Sequence, residues 1–202
     1  MNIEIQNLCF SYGDQKVLRF INFSFDETRP VVLLGPSGMG KTTLLRAIAG
    51  LITPQSGKIL GLTDKTRLSV MFQEDRLFPQ MNVYKNLKIV RPELSRQEAA
   101  RLLAELNLTD PQILDQLPRA LSGGMRRRVA LARTLVFKAD AVLMDEPFQG
   151  LDSKTHAMAL AAVKKHTRGR PLLLISHDPE DGRALEARIV TMEEITHDET
   201  RN

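Results

Sequence analysis

The stretch that decides the fold is Val31–Thr42, VVLLGPSGMGKT. Its second part fits the pattern G-x-x-x-x-G-K-[ST], and it has an apolar run before it and the helical pattern TTLLRAIAGL at its end. Glycines let the backbone curl so that successive N–H groups converge on phosphate oxygens, and the following helix presents its positive end. The stretch therefore predicts a nucleoside triphosphate site in an α/β protein.

Two side chains of this loop have defined roles in the pattern. Lys41 is expected to reach the β- and γ-phosphates, and the Thr42 hydroxyl is expected to hold Mg²⁺. The alternative is a glycine-rich turn that contains Lys-Thr by chance, but the flanking strand and helix favour the phosphate loop. The predicted contacts are Gly35, Pro36, Ser37, Gly38, Met39, Gly40, Lys41 and Thr42.

The composition indicates a folded domain. The chain has 202 residues, of which 43% are hydrophobic, and this is enough for one well-packed domain. Its 28 basic and 24 acidic residues leave a net charge of +4, which suits a solvated surface better than a nucleic-acid stripe. Cys9 is the only cysteine, so neither an internal disulfide nor a Cys/His zinc site is expected. No stretch has the pattern of a signal peptide or a membrane span.

The strand pattern predicts two sheets. Continuous apolar runs are typical of strands buried on both faces of a parallel sheet, and they occur at 31–34, 141–144, 172–175 and 189–192. Segments that alternate or are strand-like, at 3–10, 17–25 and 58–72, predict a smaller antiparallel layer near the start.

Between about residues 76 and 137 the pattern becomes helical. Ser95 and Glu98 form a capping box, which marks a helix start. Asp110-Pro111 predicts a second start, before a helix that carries Ile113, Leu114 and Leu117. We therefore predict one domain, residues 1–202, with a helical subdomain inserted at about 76–137.

An acidic pair follows the apolar run at 141–144. Asp145 and Glu146 would stand at the carboxyl end of a strand, the edge of an α/β sheet where ligands bind. Asp145 suits the Mg²⁺ shell, and Glu146 can polarise an attacking water. Taken alone, the pair is equally a strand end in solvent, but the phosphate loop in the same chain favours the functional interpretation.

Three single residues are weaker candidates. Gln73 follows a strand-like run and could bind Mg²⁺ or the attacking water, or it could be a surface residue. His177 follows another run and could donate to a γ-phosphate, although a lone histidine is usually structural. Tyr12 could stack on a purine or pack at a strand edge.

A second glycine-rich turn, Leu121–Arg128 with the sequence LSGGMRRR, precedes a predicted helix at 125–135. Ser122 is a good N-cap, and Gly123 and Gly124 leave the first turn without side chains, so that an anion could lie on the free amides. The alternative is an ordinary capped helix that carries two unfavourable glycines.

Together and in order, these residues resemble the ATP-binding subunit of an ABC transporter over almost the whole chain. The resemblance implies these assignments: Tyr12 as the adenine-stacking aromatic, Gly35–Thr43 as the Walker A loop with Thr43 included, Gln73 as the Q-loop, Leu121–Met125 as the signature, Asp145 and Glu146 as Walker B, Gly150–Asp152 as the D-loop and His177 as the switch histidine. LSGGM and the segment Gln73–Pro79 are similar to the nitrate, sulfonate, taurine and thiamine-precursor importers.

The resemblance implies a P-loop NTPase core with a mostly parallel sheet, a small N-terminal antiparallel β lobe and the helical insert. It implies ATP and Mg²⁺ as cofactors, with Glu146, His177 and Lys41 as catalytic residues. Thr42, Gln73 and Asp145 would be the metal ligands. ATP would lie in a head-to-tail dimer of two copies, or of this chain and a sister subunit, between one Walker A loop and the other chain's Ser122–Gly124.

The implied partners are two transmembrane permease subunits and a solute-binding protein, with no nucleic acid. The subunit would lie peripherally at the cytoplasmic face of the inner membrane. Candidates for the permease groove are Leu77, Phe78, Met81 and Val83, which could equally be core residues of the helical lobe.

Two features depart from the family pattern. The segment between Gly57 and Gln73 is shorter than usual, and Gln149-Gly150 replaces the usual Ser-Ala of the D-loop. Three other functions remain open: an exporter ATPase, a soluble ABC protein that acts on nucleic acid, and a small-molecule kinase. A kinase would not need the turn at Ser122.

Overall fold

The structure is a computed structural model that describes residues 1–197. Residues 198–202, the end of the predicted domain, lie outside the described residues. Unit 1 comprises residues 1–70, 140–146 and the segment from 169 onward, and unit 2 comprises 71–139 and 147–168. The predicted helical insert at about 76–137 falls within the first segment of unit 2.

Eight strands form within residues 1–197: β1 (Asn2–Tyr12), β2 (Gln15–Asp26), β3 (Val31–Leu34), β4 (Ser56–Leu60), β5 (Leu68–Met71), β6 (Ala141–Asp145), β7 (Leu172–Ile175) and β8 (Arg188–Thr191). The same residues form seven α-helices: α1 (Lys41–Ile48), α2 (Val83–Lys88), α3 (Arg96–Glu105), α4 (Gly123–Val136), α5 (Ser153–Thr167), α6 (Pro179–Ala184) and α7 (Met192–Ile195). In residues 1–197 we find no helix with the length and apolar character that crossing a membrane requires.

The N-terminal strands form a three-stranded antiparallel sheet in the order β2-β1-β4. Side chains alternate between the two faces of a strand, so Ile3 and Ile5 lie on the same face of β1, where both are almost fully buried. The small antiparallel β lobe predicted from the sequence is therefore confirmed. The prediction is wrong for the end of the segment 58–72, because β5 belongs to the larger sheet.

The larger sheet has the order β5-β6-β7-β3-β8. β3 pairs in parallel with β7 and with β8, and β6 pairs in parallel with β7. Every residue of β6 and β7 is buried, as expected for strands covered on both faces. The predicted mostly parallel core is confirmed.

One strand boundary differs from the prediction. The apolar run at 189–192 was expected to be all strand, but Met192 begins α7. The Thr191 hydroxyl accepts a hydrogen bond from the Glu194 amide, and the Glu194 carboxylate accepts one from the Thr191 amide. This capping box starts a helix although Met192 itself is buried.

Unit 2 contains α2 to α5. Its buried side chains include Leu87 of α2 and Leu103 of α3, together with Leu131 of α4. The capping box predicted at Ser95 and Glu98 is present at the start of α3. The second predicted helix start in this segment is wrong.

Asp110-Pro111 leads only to a three-residue 3-10 turn, Ile113–Asp115. The chain becomes extended at Gln116, where ψ is 143°, and stays extended at Leu117, where ψ is 152°. Leu117 precedes Pro118, and the proline ring disfavours the α conformation in the residue before it. The helix is therefore stopped before Leu117 can join it.

Candidate nucleotide site

The candidate site of unit 1 is built on the carboxyl ends of β3, β6 and β7, which are neighbours in the sheet. Asp145 is the last residue of β6 and pairs in register with Ile175, the last residue of β7. The Glu146 amide donates to the Ile175 carbonyl at 3.0 Å, which continues the ladder by one residue. The acidic pair and His177 are thus held at the same edge, as expected for a doubly wound sheet.

The loop after β3 turns through three glycines with positive φ: Gly35, Gly38 and Gly40. Gly40 is the N-cap of α1, with φ 92° and no side-chain cap. A Cβ at this position would lie 2.9 Å from Val17 Cγ1, so only glycine fits between the loop and β2. The start of α1 therefore keeps its amides uncovered by side-chain caps, a geometry suited to anions.

Lys41 folds back over this loop. Its Nζ donates to the Gly35 carbonyl at 2.5 Å and to the Pro36 carbonyl at 2.8 Å, and the residue is buried. Burial lowers the pKa of Lys41, while the charges of Glu146, Asp145 and Glu193 act in the opposite direction. The ammonium group is therefore fixed at the loop in a field of carboxylates, and Glu193 is a contributor that the sequence did not indicate.

The donor set around Thr42 fits a magnesium ion. The Thr42 hydroxyl donates to Asp145 Oδ2 at 2.6 Å, so a neutral oxygen and a carboxylate lie side by side. Within residues 1–197 no three His, Cys, Asp or Glu side chains form a metal cluster. Mg²⁺ characteristically binds through one or two protein oxygens and completes its shell with water and phosphate. Thr42 and Asp145 are suited to that mode.

Glu146 and His177 face each other across the strand ends. His177 Nε2 lies 2.5 Å from Glu146 Oε1. The Glu146 side chain is 13% exposed and that of His177 is 45% exposed, so the pair has one sheltered and one accessible member. Glu146 also has a left-handed backbone, with φ 49°, which is uncommon for a residue other than glycine and typical of functional sites.

Tyr12 is exposed at the end of β1. Its ring meets Phe10 edge to face, with 4.8 Å between ring centroids. One face of the phenol ring can therefore stack on a planar ligand, although the contact with Phe10 also supports the packing alternative.

In unit 2 the second glycine turn opens α4. The Ser122 hydroxyl accepts from the Met125 amide at 3.2 Å, so the predicted N-cap is present. A Cβ on Gly124 would meet nothing within 4 Å, and one on Gly123 would meet only Arg126 Nη2, at 3.9 Å. Neither glycine is needed for packing inside the chain.

Gln73 is exposed in the segment after β5. Its backbone is held by a residue that the sequence reasoning missed: buried Arg127 of α4 donates from Nη1 to the Gln73 carbonyl at 2.7 Å and to the Phe72 carbonyl at 2.9 Å. Arg127 lies one helical turn before buried Leu131, so a basic residue on the apolar face of α4 was the available signal.

The groove candidates separate into two kinds. Val83 is fully buried at the start of α2, so the core alternative holds for it. Phe78 is 44% exposed, and its backbone is held by the buried amide of Asn86, which accepts from the Phe78 amide and donates to the Phe78 carbonyl. Leu77 and Met81 are partly exposed.

Comparison with known proteins identifies the family. Residues 18–149, more than half of the chain, match the family described as ABC transporter. The chain therefore belongs to the ABC transporter family. It is an ATP-binding subunit of the importer group, and the activity of its site is ATP hydrolysis.

Similar proteins include an aliphatic sulfonates import ATP-binding protein, SsuB 3 of Rhodococcus jostii (strain RHA1). It is 41% identical over 187 residues, which are 91% of this chain and 68% of that protein. The fold is similar to the dimeric, post-hydrolysis ATP-binding cassette MJ0796 bound to ADP and Pi, with TM-score 0.81, 26% identity and 99% of both chains covered. It is also similar to a bacterial Atm1-family ABC exporter with ATP bound, with TM-score 0.87 and 26% identity over 98% of this chain and 38% of that one.

Proposed function

We propose that this chain hydrolyses MgATP in a head-to-tail dimer and thereby drives import of a small solute. The observation that carries the proposal is the arrangement at one sheet edge: Thr42 on Asp145, and His177 on Glu146. Asp145, Glu146 and His177 lie at or just after the ends of the parallel strands β6 and β7. Thr42 and the buried Lys41 lie in the first turn of α1. These are the functional groups that phosphoryl transfer to water requires: a cation that binds the phosphates, oxygen ligands for the metal and a carboxylate base.

Each residue has a proposed role. Thr42 and Asp145 hold Mg²⁺, which neutralises phosphate charge when bound, and Gln73 is assigned to the same shell by the family resemblance. Lys41 and His177 bind the γ-phosphate, while Tyr12 stacks on the adenine. The other loop contacts are the predicted ones: Gly35, Pro36, Ser37, Gly38, Met39, Gly40 and Thr43.

Glu146 is the proposed general base. Its carboxylate is sheltered, and a carboxylate held in place can accept the proton of an attacking water. His177 Nε2, beside Oε1, fixes the direction in which the carboxylate points. The chain thus supplies one oriented proton acceptor for an attacking water.

The second half of the site comes from another copy or from a sister subunit. Ser122, Gly123 and Gly124 offer the first turn of α4, and the open space beside Gly124 admits a γ-phosphate that arrives from outside this chain. The solved MJ0796 cassette is itself dimeric, which supports this arrangement.

The remaining partners are assigned by family membership. Two transmembrane permease subunits would dock on unit 2 at the exposed Phe78 and its neighbours Leu77 and Met81. A solute-binding protein would deliver the solute, and the chain would work at the cytoplasmic face of the inner membrane. An exporter role is supported by the fold similarity to the Atm1-family protein, but import is favoured because the importer relative is 41% identical and the exporter 26%.

The test is Glu146→Gln in MgATP. The amide keeps the shape but cannot accept a proton, so turnover should fall by at least about a hundredfold, the usual share of a general base. ATP stays bound, and light scattering should show a dimer in place of the monomer.

The matched control is Glu180→Gln, which changes an exposed carboxylate on α6 and should turn over like the wild type. A Glu146→Gln variant that hydrolyses ATP normally, or that remains monomeric in saturating MgATP, would contradict the proposal.

A further inference from the structure

A buried carboxylate lies behind the candidate site in unit 1. Asp181, in α6, is 2% exposed, and its Oδ2 accepts a hydrogen bond from Ser176 Oγ at 2.5 Å. Burying a carboxylate is unfavourable unless hydrogen bonds compensate for the lost water. Asp181 is not needed to cap α6, since Asp178 already does so by accepting from the Glu180 amide at 2.8 Å. The position of Asp181 therefore calls for another explanation.

The hydroxyl that Asp181 holds is the centre of a small network. Ser176 Oγ also accepts from the Asp178 amide at 3.0 Å, and the Ser176 amide donates to the Leu33 carbonyl of β3 at 3.3 Å. A serine hydroxyl has one proton to donate and can rotate to suit its partners. Because Asp181 takes that proton, the lone pairs of Ser176 Oγ face the Asp178 amide.

The residue between these two anchored positions is His177. Its side chain is 45% exposed, and its Nε2 lies 2.5 Å from Glu146 Oε1. An exposed imidazole has little packing to restrict it, so its direction depends on the backbone that carries it. The Ser176 hydroxyl is held by Asp181 and in turn accepts from the Asp178 amide. The backbone is therefore restrained on both sides of His177.

We propose that Asp181 is a positioning residue: through Ser176 it fixes the backbone of His177 and so sets the contact between His177 and Glu146. The inference rests on the proposed function, since it concerns the pair assigned to ATP hydrolysis. It assigns Asp181 and Ser176 a part in that reaction without contact to the nucleotide.

The experiment compares Asp181→Ala with Asp181→Asn. Alanine removes the acceptor, whereas the asparagine carbonyl oxygen can still accept from Ser176 Oγ. Asp181→Ala should lower kcat by about tenfold or more with little change in KM for MgATP, because small displacements of a catalytic group are costly. Asp181→Asn should restore most of the rate.

Two readouts separate positioning from a general loss of stability. The imidazole signals of the four histidines can be followed by NMR, with His177 assigned by its absence in His177→Ala. Asp181→Ala should move the His177 signal in the direction that Glu146→Gln moves it. In a His177→Ala background, Asp181→Ala should lower kcat no further.

The matched control is Thr167→Ala, which also removes a buried hydroxyl hydrogen bond, the one to the Val163 carbonyl in α5. It should lower the melting temperature without moving the His177 signal. The inference is overturned if Asp181→Ala leaves that signal in place, or if it lowers kcat equally with and without His177. The NMR arm needs no turnover, so full activity of His177→Ala would contradict the proposed role of His177 while the signal still decided the role of Asp181.

Discussion

The chain contains two glycine-rich turns that each open a helix, and they use glycine for different reasons. In the turn before α1, Gly40 has a left-handed backbone and a Cβ would collide with Val17. In the turn before α4, Gly123 and Gly124 are part of the helix itself and have room for a side chain. The first turn needs glycine in order to fold, and the second does not.

This difference indicates where each turn has its ligand. The turn before α1 is already closed by its own chain, since Lys41 bonds to the carbonyls of Gly35 and Pro36. In the turn before α4, each glycine destabilises the helix by about 1 kcal/mol relative to alanine. Packing inside the chain does not require either of them. A feature that lowers stability without a local reason is typical of a site that serves something outside the chain.

The largest effect is expected from Gly40→Ala. Alanine would be strained at φ 92° and would press on Val17, so the free energy of unfolding should fall by about 1–3 kcal/mol. Nucleotide binding by the isolated chain should be lost, since the loop and the start of α1 must move apart. Urea unfolding and titration with a fluorescent ATP analogue measure the two effects.

Gly50→Ala is the control for Gly40→Ala. Gly50 also has a positive φ, 70°, but a Cβ there meets nothing within 4 Å. It should lower stability and leave nucleotide binding intact. Unchanged nucleotide binding in Gly40→Ala would refute the distinction between the two turns.

Gly124→Ala should separate stability from activity. The free energy of unfolding should rise, by up to about 1 kcal/mol, because alanine is the better helix former and the space is open. The isolated chain should bind ATP as before. Turnover should fall at least about tenfold, since in the proposed dimer the methyl group would lie where a partner's phosphate approaches. If stability rises and steady-state turnover is unchanged, the turn before α4 has no ligand role.

A smaller effect is expected at Met125, the residue whose amide donates to Ser122. Glutamate there would complete a capping box like that of Ser95 and Glu98, where hydrogen bonds from Ser95 lower the pKa of Glu98 to about 2. Stability should rise by about 0.3–1.5 kcal/mol. A carboxylate would, however, repel an incoming phosphate by about 1 kcal/mol at 4 Å in water, or roughly fivefold in turnover.

Met125→Gln is the neutral counterpart, because glutamine completes the same capping box without a charge. It should turn over ATP like the wild type. Equal steady-state rates for the Glu and Gln variants would show that no anion approaches this helix start.

Sequence reasoning was most successful where a structure is decided locally. The strands at 31–34 and 172–175 have the predicted bounds, and the caps at Ser95 and Ser122 depend on residues three positions apart. The helix expected after Asp110 failed because the restriction from Pro118 outweighed the start signal.

Two supporting residues were missed for different reasons. The contact of Arg127 with the Gln73 carbonyl joins residues 54 positions apart, so it is set by tertiary structure. Asp181 lies only five residues after Ser176, but the start of α6 that brings the two together was not predicted from the sequence. Patterns identify groups that can act on a ligand, whereas the groups that hold them depend on packing.

The order of the strands has a consequence for folding during synthesis on the ribosome. β3, which carries the nucleotide loop, lies between β7 and β8, so both its neighbours are made after most of the chain. At about 5–20 residues per second, β3 must wait on the order of 10 s or more for either of them to leave the ribosome. The residues of unit 2 emerge within that interval. We therefore expect a nascent chain to bind ATP only after β7 and β8 have been translated.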